Sequence, residues 1–301
     1  MAIAASGTVS AADIRTEYGL SGEVSFADLY RGGSYVRAKA ANNNGTNLAA
    51  SVPTSGTLTF DNFRGTAKGF KYTFTGGATN QNASTLFGDD YAVNYPKEIV
   101  INAGVELGAT SSSEEALEVP SGGAGSITIT NNGTLSGAGG AAGQAGGDAF
   151  ETAVACTFIN NGTIRAGGGG GGTGGGGSYS SSSTPSWSGT YRWMSYGAAN
   201  TSQTGNRQVA QWGGSYVVNS YTTALTVGQY SRSSYVTSSG SYLQFRITRT
   251  TSANTNGGSG GVGQGYNQSA GSGAGGGTNA GTGGSGASFG SSGSTGANGN
   301  S

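Results

Sequence analysis

The chain contains no histidine. That removes the commonest general base, the Ser-His-Asp and Cys-His arrangements, and most zinc and iron sites. Paired carboxylates are the acid–base chemistry that remains. Two adjacent pairs exist, Asp89 with Asp90 and Glu114 with Glu115. Both sit beside loop-forming residues (Gly88; Ser111 to Ser113), which is the setting of solvated turn charges rather than of a catalytic dyad. The single cysteine, Cys156, excludes an intrachain disulfide and a CxxC metal site. Its apolar neighbours Val154 and Phe158 mark it as a small buried side chain. No catalytic residue, metal site or cofactor is expected, and the chain reads as a non-enzyme.

The composition narrows the remaining classes. Of 301 residues, 61 are glycine, and 14 Lys plus Arg balance 14 Asp plus Glu, so the net charge is zero. Disordered chains are usually charge-rich and aromatic-poor, whereas this one carries 15 Tyr, 10 Phe and 3 Trp with 9% charged residues. A folded chain with a neutral, adhesive surface is expected. Phosphate binding needs clustered Lys and Arg, and none cluster, so a nucleic-acid partner is not expected. Nor is membrane insertion, for no apolar run reaches about 18 residues. The opening MAIAASGTVSAAD has neither the basic start nor the apolar core of a secretory signal.

Residues 1–70 repeat one pattern three times: Gly7-Thr-Val-Ser-Ala-Ala-Asp-Ile14, Gly22-Glu-Val-Ser-Phe-Ala-Asp-Leu29 and Gly56-Thr-Leu-Thr-Phe-Asp-Asn-Phe63. In each, Ser or Thr suits a helix N-cap, and Asp or Asn three residues later approximates a capping box. Val9, Val24 and Leu58 occupy the hydrophobic-staple position, and Gly19, Gly32 and Gly65 suit helix stops. Three short helical turns packed together are expected, with a core too small to act alone. The string VSAADIRTEYGLSGEVSFADLYRGGSYV resembles N-terminal segments of tailed-phage virion proteins, often tail-fibre or tail-tip components. Over about 65 residues, the resemblance implies an attachment module that docks on other virion proteins, with Ile14, Phe26, Leu29, Tyr30, Arg31, Phe60 and Phe63 as docking candidates.

Residues 71–165 alternate as strands do at Lys71-Tyr-Thr-Phe-Thr, Glu98-Ile-Val-Ile and Ser126-Ile-Thr-Ile-Thr. A repeat of period 29 aligns Ile101-Asn-Ala-Gly-Val105, Thr130-Asn-Asn-Gly-Thr134 and Ile159-Asn-Asn-Gly-Thr163. Asn-Gly after an alternating run is a turn signal, and a fixed period predicts stacked units forming a repetitive β layer rather than separate hairpins.

Residues 166–301 are dominated by glycine tracts, foreshadowed by Gly137 to Gly147, and enclose an insert at 178–250 that holds all three tryptophans. Four tracts exceed what a linker requires. Ordered glycine must be compensated, and a bundle of polyglycine-II helices would do so. A lone extended helix of three residues per turn has no internal hydrogen bonds, but packed neighbours can satisfy each other. The predicted fold class is thus mainly β and irregular: a helical-turn module, a β-repeat layer, and a polyglycine-II bundle with an aromatic-rich insert. This pattern resembles the glycine-rich tip adhesins of T-even-like phages. That resemblance implies variable loops contacting a bacterial surface protein or glycan, and a virion location at the tail fibre or tip. The insert's Tyr, Trp, Ser and Gly mixture is that of an antibody paratope. Tyr179, Trp187, Tyr191, Trp193, Tyr196, Trp212, Tyr216 and Tyr221 are the receptor-binding candidates, and a β subdomain using the same aromatics as core is the competing reading. The other functions compatible with the residues are a structural capsid spike, decoration or collar fibre without a receptor, and an ice-binding protein. Either a trimer or a single copy on a trimeric shaft fits the sequence, as no heptad repeat is present.

Overall fold

A computed structural model describes residues 2–183, 193–195, 230–239 and 242–300, with side chains described for 2–180 and 253–300. Its contacts divide the chain into two units. One comprises Met1–Gly174, Gly258–Gly275 and Thr282–Ala297, and the other Gly175–Gly257, Gly276–Gly281 and Asn298–Ser301.

The first unit begins with the three repeats. Helix α1 (Ala11–Tyr18) and helix α2 (Phe26–Leu29) each start with a complete capping box, Ser10 with Asp13 and Ser25 with Asp28. In the third repeat, a 3₁₀ turn over Phe60–Phe63 uses Asn62, whose side-chain oxygen accepts from the Thr59 N–H at 2.8 Å. Short polar side chains thus satisfy the N–H groups that a helix start leaves open. Gly19 ends α1 in the left-handed conformation at φ 65°. Val9, Ile14, Tyr18, Val36, Ala49, Val52 and Phe63 form the small core expected here, closed by Ile3.

The predicted strands follow. Strand β1 (Thr46–Asn47) pairs antiparallel with β2 (Phe70–Phe74). From β2 onward the chain winds as a β-solenoid of about three turns. The first coil is β2, β3 (Ala78–Thr79) and β4 (Gln81–Asn82), followed by helix α3 (Ala83–Phe87). The second is β5 (Lys97–Ile101), β6 (Glu106–Gly108) and β7 (Leu117–Val119). The third is β8 (Ile127–Asn131), β9 (Thr134–Ser136) and β10 (Phe150–Thr152), and β11 (Thr157–Asn160) with β12 (Thr163–Arg165) opens a fourth. Equivalent strands of successive coils pair in parallel, giving ladders β2-β5-β8-β11, β3-β6-β9-β12 and β4-β7-β10. The alternation puts Phe70, Phe74, Ile99, Ile101, Ile127 and Ile129 inside, each at most 4% exposed.

The period needs one correction. It is 29 between the third and fourth coils, where Thr128 pairs with Thr157 and Thr134 with Thr163. Between the second and third, however, Ile101 pairs with Asn131, thirty apart, and Leu107 with Leu135, twenty-eight apart. The turn Asn102–Val105 holds two more residues than Asn132–Gly133, so the ungapped alignment slips by one residue there.

The glycine tracts extend β9 and β12. Gly137, Gly140 and Gly143 donate to the carbonyls of Arg165, Gly168 and Gly171. Within the second tract, successive N–H groups then donate to three different segments: Gly167 to Gly147, Gly168 to Gln264 and Gly169 to Ser291. The pattern recurs three residues on, with Gly170 donating to Gln144, Gly171 to Gly261 and Gly172 to Ser294. The tracts are therefore ordered, each backbone paired with several neighbours. Packing is tight enough to exclude side chains, since a Cβ on Gly167 or Gly260 would lie 1.7 Å from a carbonyl oxygen.

The second unit is built on an antiparallel sheet. Strand β13 (Gly177–Ser183), β14 (Trp193–Ser195) and β15 (Tyr230–Ser239) all pair with β16 (Tyr242–Thr255).

Candidate interaction surfaces

In the N-terminal repeats, the capping box orients the first helical turn. The residue just after the cap is turned outward and the apolar residue following the Asp or Asn is turned inward. Phe26 and Phe60 accordingly lie 69% and 53% exposed. Two docking candidates are corrected: Ile14 and Phe63 are 2% and 1% exposed and build the module's core, so neither offers a contact surface. Leu29 packs partly against that core. Tyr30 donates its hydroxyl to the Gly56 carbonyl, and Arg31, half-buried, donates its backbone N–H to the Pro53 carbonyl.

Among the receptor-binding candidates, Tyr179 lies on β13 with its side chain 36% exposed. Trp193 lies on β14, its backbone opposite Leu243. Trp187, Tyr191, Tyr196, Trp212, Tyr216 and Tyr221 lie outside the described residues. The strand expected at Tyr242 is present and runs to Thr255. The base of this sheet is tied down within its own unit. Ser178 N–H donates to the Asn300 carbonyl at 3.2 Å, and Asn279 Nδ2 donates to the Ser178 carbonyl at 3.0 Å. Thr255 Oγ1 reaches the carbonyls of Gly177 and Thr278 at 3.2 and 2.5 Å.

The carboxylate pairs depart from the solvated-turn expectation in one case. Asp89 is exposed, but Asp90 is fully buried and receives Arg37 Nε at 2.8 Å, Ala40 N–H at 2.7 Å and Asn43 Nδ2 at 2.9 Å. Burial alone would raise its pKa. The bonds from Asn43, Ala40 and Arg37, with the guanidinium charge, hold it below the ordinary value instead. Glu114 is exposed and bound by Asn80 Nδ2 at 2.5 Å. The Glu115 pKa is raised by burial, then by the neighbouring Glu151 carboxyl, then by Glu118. Among the described residues, no group of three or more His, Cys, Asp or Glu is arranged to hold a metal ion. Cys156 is half-buried rather than buried; it lies just before β11, the strand at the open end of its ladder.

Two aromatic residues of the glycine tracts escape the sequence reading. Tyr266 lies against Gly108, where a Cβ would meet its ring at 2.0 Å. Phe289 lies under the Arg165 guanidinium at 4.0 Å. Their isolation among glycines is the available signal. The last coil also leaves apolar side chains open, with Ile159 44% and Ile164 42% exposed. Among the described residues, no helix is long and apolar enough to cross a membrane. Compared with known proteins, the chain matches no protein-family model, no curated protein and no solved structure.

Proposed function

We propose that this chain is a fibre or tip adhesin of a phage particle. It docks on the virion through residues 1–70 and binds a host-cell surface protein or glycan through the aromatic-rich insert, by contact rather than catalysis. The observation that carries the reading is the three-way hydrogen bonding of the glycine tracts. Successive residues donating to three neighbours, with recurrence at every third residue, is what a polyglycine-II bundle requires. Such a bundle anchors each backbone from several sides and leaves connecting segments free to vary, the division of labour of an adhesin. The low charge and the insert's Tyr, Trp, Ser and Gly content support contact with a neutral or glycan surface.

Adsorption competition tests this. Host cells are incubated with the full chain, or with a variant whose residues 184–229 are replaced by a short Gly-Ser linker that spares β13 and β16. Phage is then added. Blocking by the full chain alone is the expected result. No blocking by either, with both folded by circular dichroism, overturns receptor binding and leaves a capsid spike, decoration or collar protein.

A further inference from the structure

The tract 166–174 runs through the middle of the glycine-rich bundle, and hydrogen bonds set its neighbours in order around it. Its N–H groups go to three segments: Gly167 and Gly170 to 144–147, Gly168, Gly171 and Gly174 to 258–264, and Gly169 and Gly172 to 291–294. Its carbonyls keep the same period. Those of Gly168 and Gly171 accept from Gly140 and Gly143, and those of Gly169 and Gly172 from Ala287 and Gly284. Bonds between the neighbours fix their sequence, since Gly147 donates to Ala138, Gly263 to Gly140, Gly261 to Gly284, and Ser294 to Ser285. Around the tract the order is therefore 144–147, 137–143, 258–265, 282–289 and 290–297, with segments that accept from it alternating with segments that donate to it. A helix of three residues per turn has three N–H directions and three carbonyl directions, hence six places. Five are filled. The sixth falls between 290–297 and 144–147, and there lies a groove of about 390 Å³, floored by Gly167, Gly169 and Gly170. By the same count the carbonyls of Gly167, Gly170 and Thr173 belong to this place, and among the described residues none of the three accepts a hydrogen bond.

We infer that this groove binds an extended glycine-rich segment of a second protein, with glycine at every third residue, whose backbone N–H groups fill the open carbonyls and complete the bundle. The segment already beside the groove shows what fits. Residues 290–299 carry Gly290, Gly293, Gly296 and Gly299 with only Ser, Thr, Ala and Asn between them. A Cβ on Gly293 or Gly296 would lie 2.3 or 2.4 Å from the carbonyl oxygen of Gly170 or Thr173, so contact with the central tract demands glycine at that period. The lining holds no charged or aromatic side chain, and so offers nothing to an ionic or stacking ligand. Its open acceptors recur about every 9 Å, the spacing at which such a segment presents equivalent donors. The chain's own insert lacks the pattern, as no two glycines within 184–229 lie three apart. In a second copy, the period-three segment is already bonded to its own 282–285.

The test titrates the full chain into a fluorescein-labelled peptide with the sequence of residues 290–299, read by fluorescence anisotropy. A second peptide carries Ala at the places of Gly293 and Gly296. Saturable binding of the first is expected, with the second weaker by about tenfold or more because its methyl groups meet the tract's carbonyls. Ala145 and Ser292 line the groove with exposed side chains. Ala145→Tyr and Ser292→Tyr should therefore each weaken binding by about tenfold while leaving the thermal midpoint unchanged. Equal binding of the two peptides, or binding indifferent to both tyrosines, overturns the site. Binding only after residues 184–229 are replaced by the Gly-Ser linker overturns it in favour of the chain's own insert as occupant. Dimerisation in sedimentation that Ala145→Tyr abolishes overturns it in favour of a second copy. No binding in any form leaves a groove filled by water and overturns it outright.

Discussion

Lys97 is a cation inside the solenoid, 2% exposed, with its Nζ bonded to the carbonyls of Val93, Tyr95 and Ala124 at 2.8, 2.9 and 2.7 Å. Burial, opposed by the Asp90 charge and reinforced by Arg37, lowers its pKa to about 8 from 10.5. Between those values the unfolded chain binds more protons, so stability gained from this group rises with pH from about 8 to 10.5. Lys97→Met would leave the Tyr95 and Ala124 carbonyls without this donor, while the Val93 carbonyl keeps the Tyr95 N–H, and a loss of about 1–3 kcal/mol is expected by urea denaturation. Asp90 has the opposite dependence. Its pKa is held low, so its contribution is present above the unfolded value of 3.8 and is lost as the pH falls through the folded value. Asp90→Asn should cost about 2–4 kcal/mol at pH 7, because Arg37 and a fixed set of donors lose their acceptor charge. The variant should also show a shallower fall in denaturation midpoint below about pH 4. An unchanged acid profile would show that other carboxylates govern it.

At the scale of the element, the solenoid turn is held by stacked carboxamides. Asn131 Nδ2 donates to Asn160 Oδ1 at 2.8 Å, and Asn161 Nδ2 to Asn132 Oδ1 at 3.0 Å. Asn131 is fully buried and also accepts from the Gly133 N–H at 3.1 Å, so Asn131→Ala should destabilise by about 1–3 kcal/mol. A neighbouring column, Glu106–Ser136–Arg165, joins three coils through bonds of 2.5 and 2.8 Å. The glycine tracts make a sharper prediction, since position rather than composition decides the outcome. Gly263→Ala would place a Cβ 1.9 Å from the Gly168 carbonyl oxygen, whereas at Gly275 nothing lies within 4 Å. The first should lower the thermal midpoint by several degrees and the second leave it within about a degree. Equal effects would refute tight packing of these tracts.

At the scale of the whole molecule, the two units are interleaved along the chain, so residues far apart in sequence finish each one. Asn298 to Asn300 belong to the second unit together with Gly175 to Gly257. Removing residues after Ala297 should take away the Asn300 contacts to Ser178 and Asn279. Faster protease cleavage within 178–250 is expected, with hydrogen-exchange protection of β5, β8 and β9 unchanged. Unaltered cleavage would show that Asn279 and Thr255 suffice to hold the base.

Local physics makes much of this architecture legible in the amino-acid sequence. Ser10, Ser25 and Thr59 announce three helical turns, because a cap and its partner sit within one turn of chain. The alternation at 97–101 and 127–131 announces strands, and their spacing announces stacking. What the tertiary structure decides is non-local. The extra turn residues at Asn102–Val105 shift the register, which pairing between distant strands sets and an ungapped alignment does not register. Ile14 and Phe63 turn inward because the other repeats cover them, and Asp90 is buried because residues some fifty positions earlier supply its donors. The bonds from Arg15, Tyr30 and Arg64 to the carbonyls of Gly22, Gly56 and Gly7 are equally hidden in sequence. Their acceptors are backbone carbonyls, which every residue carries, so only the fold selects these three glycines from among them.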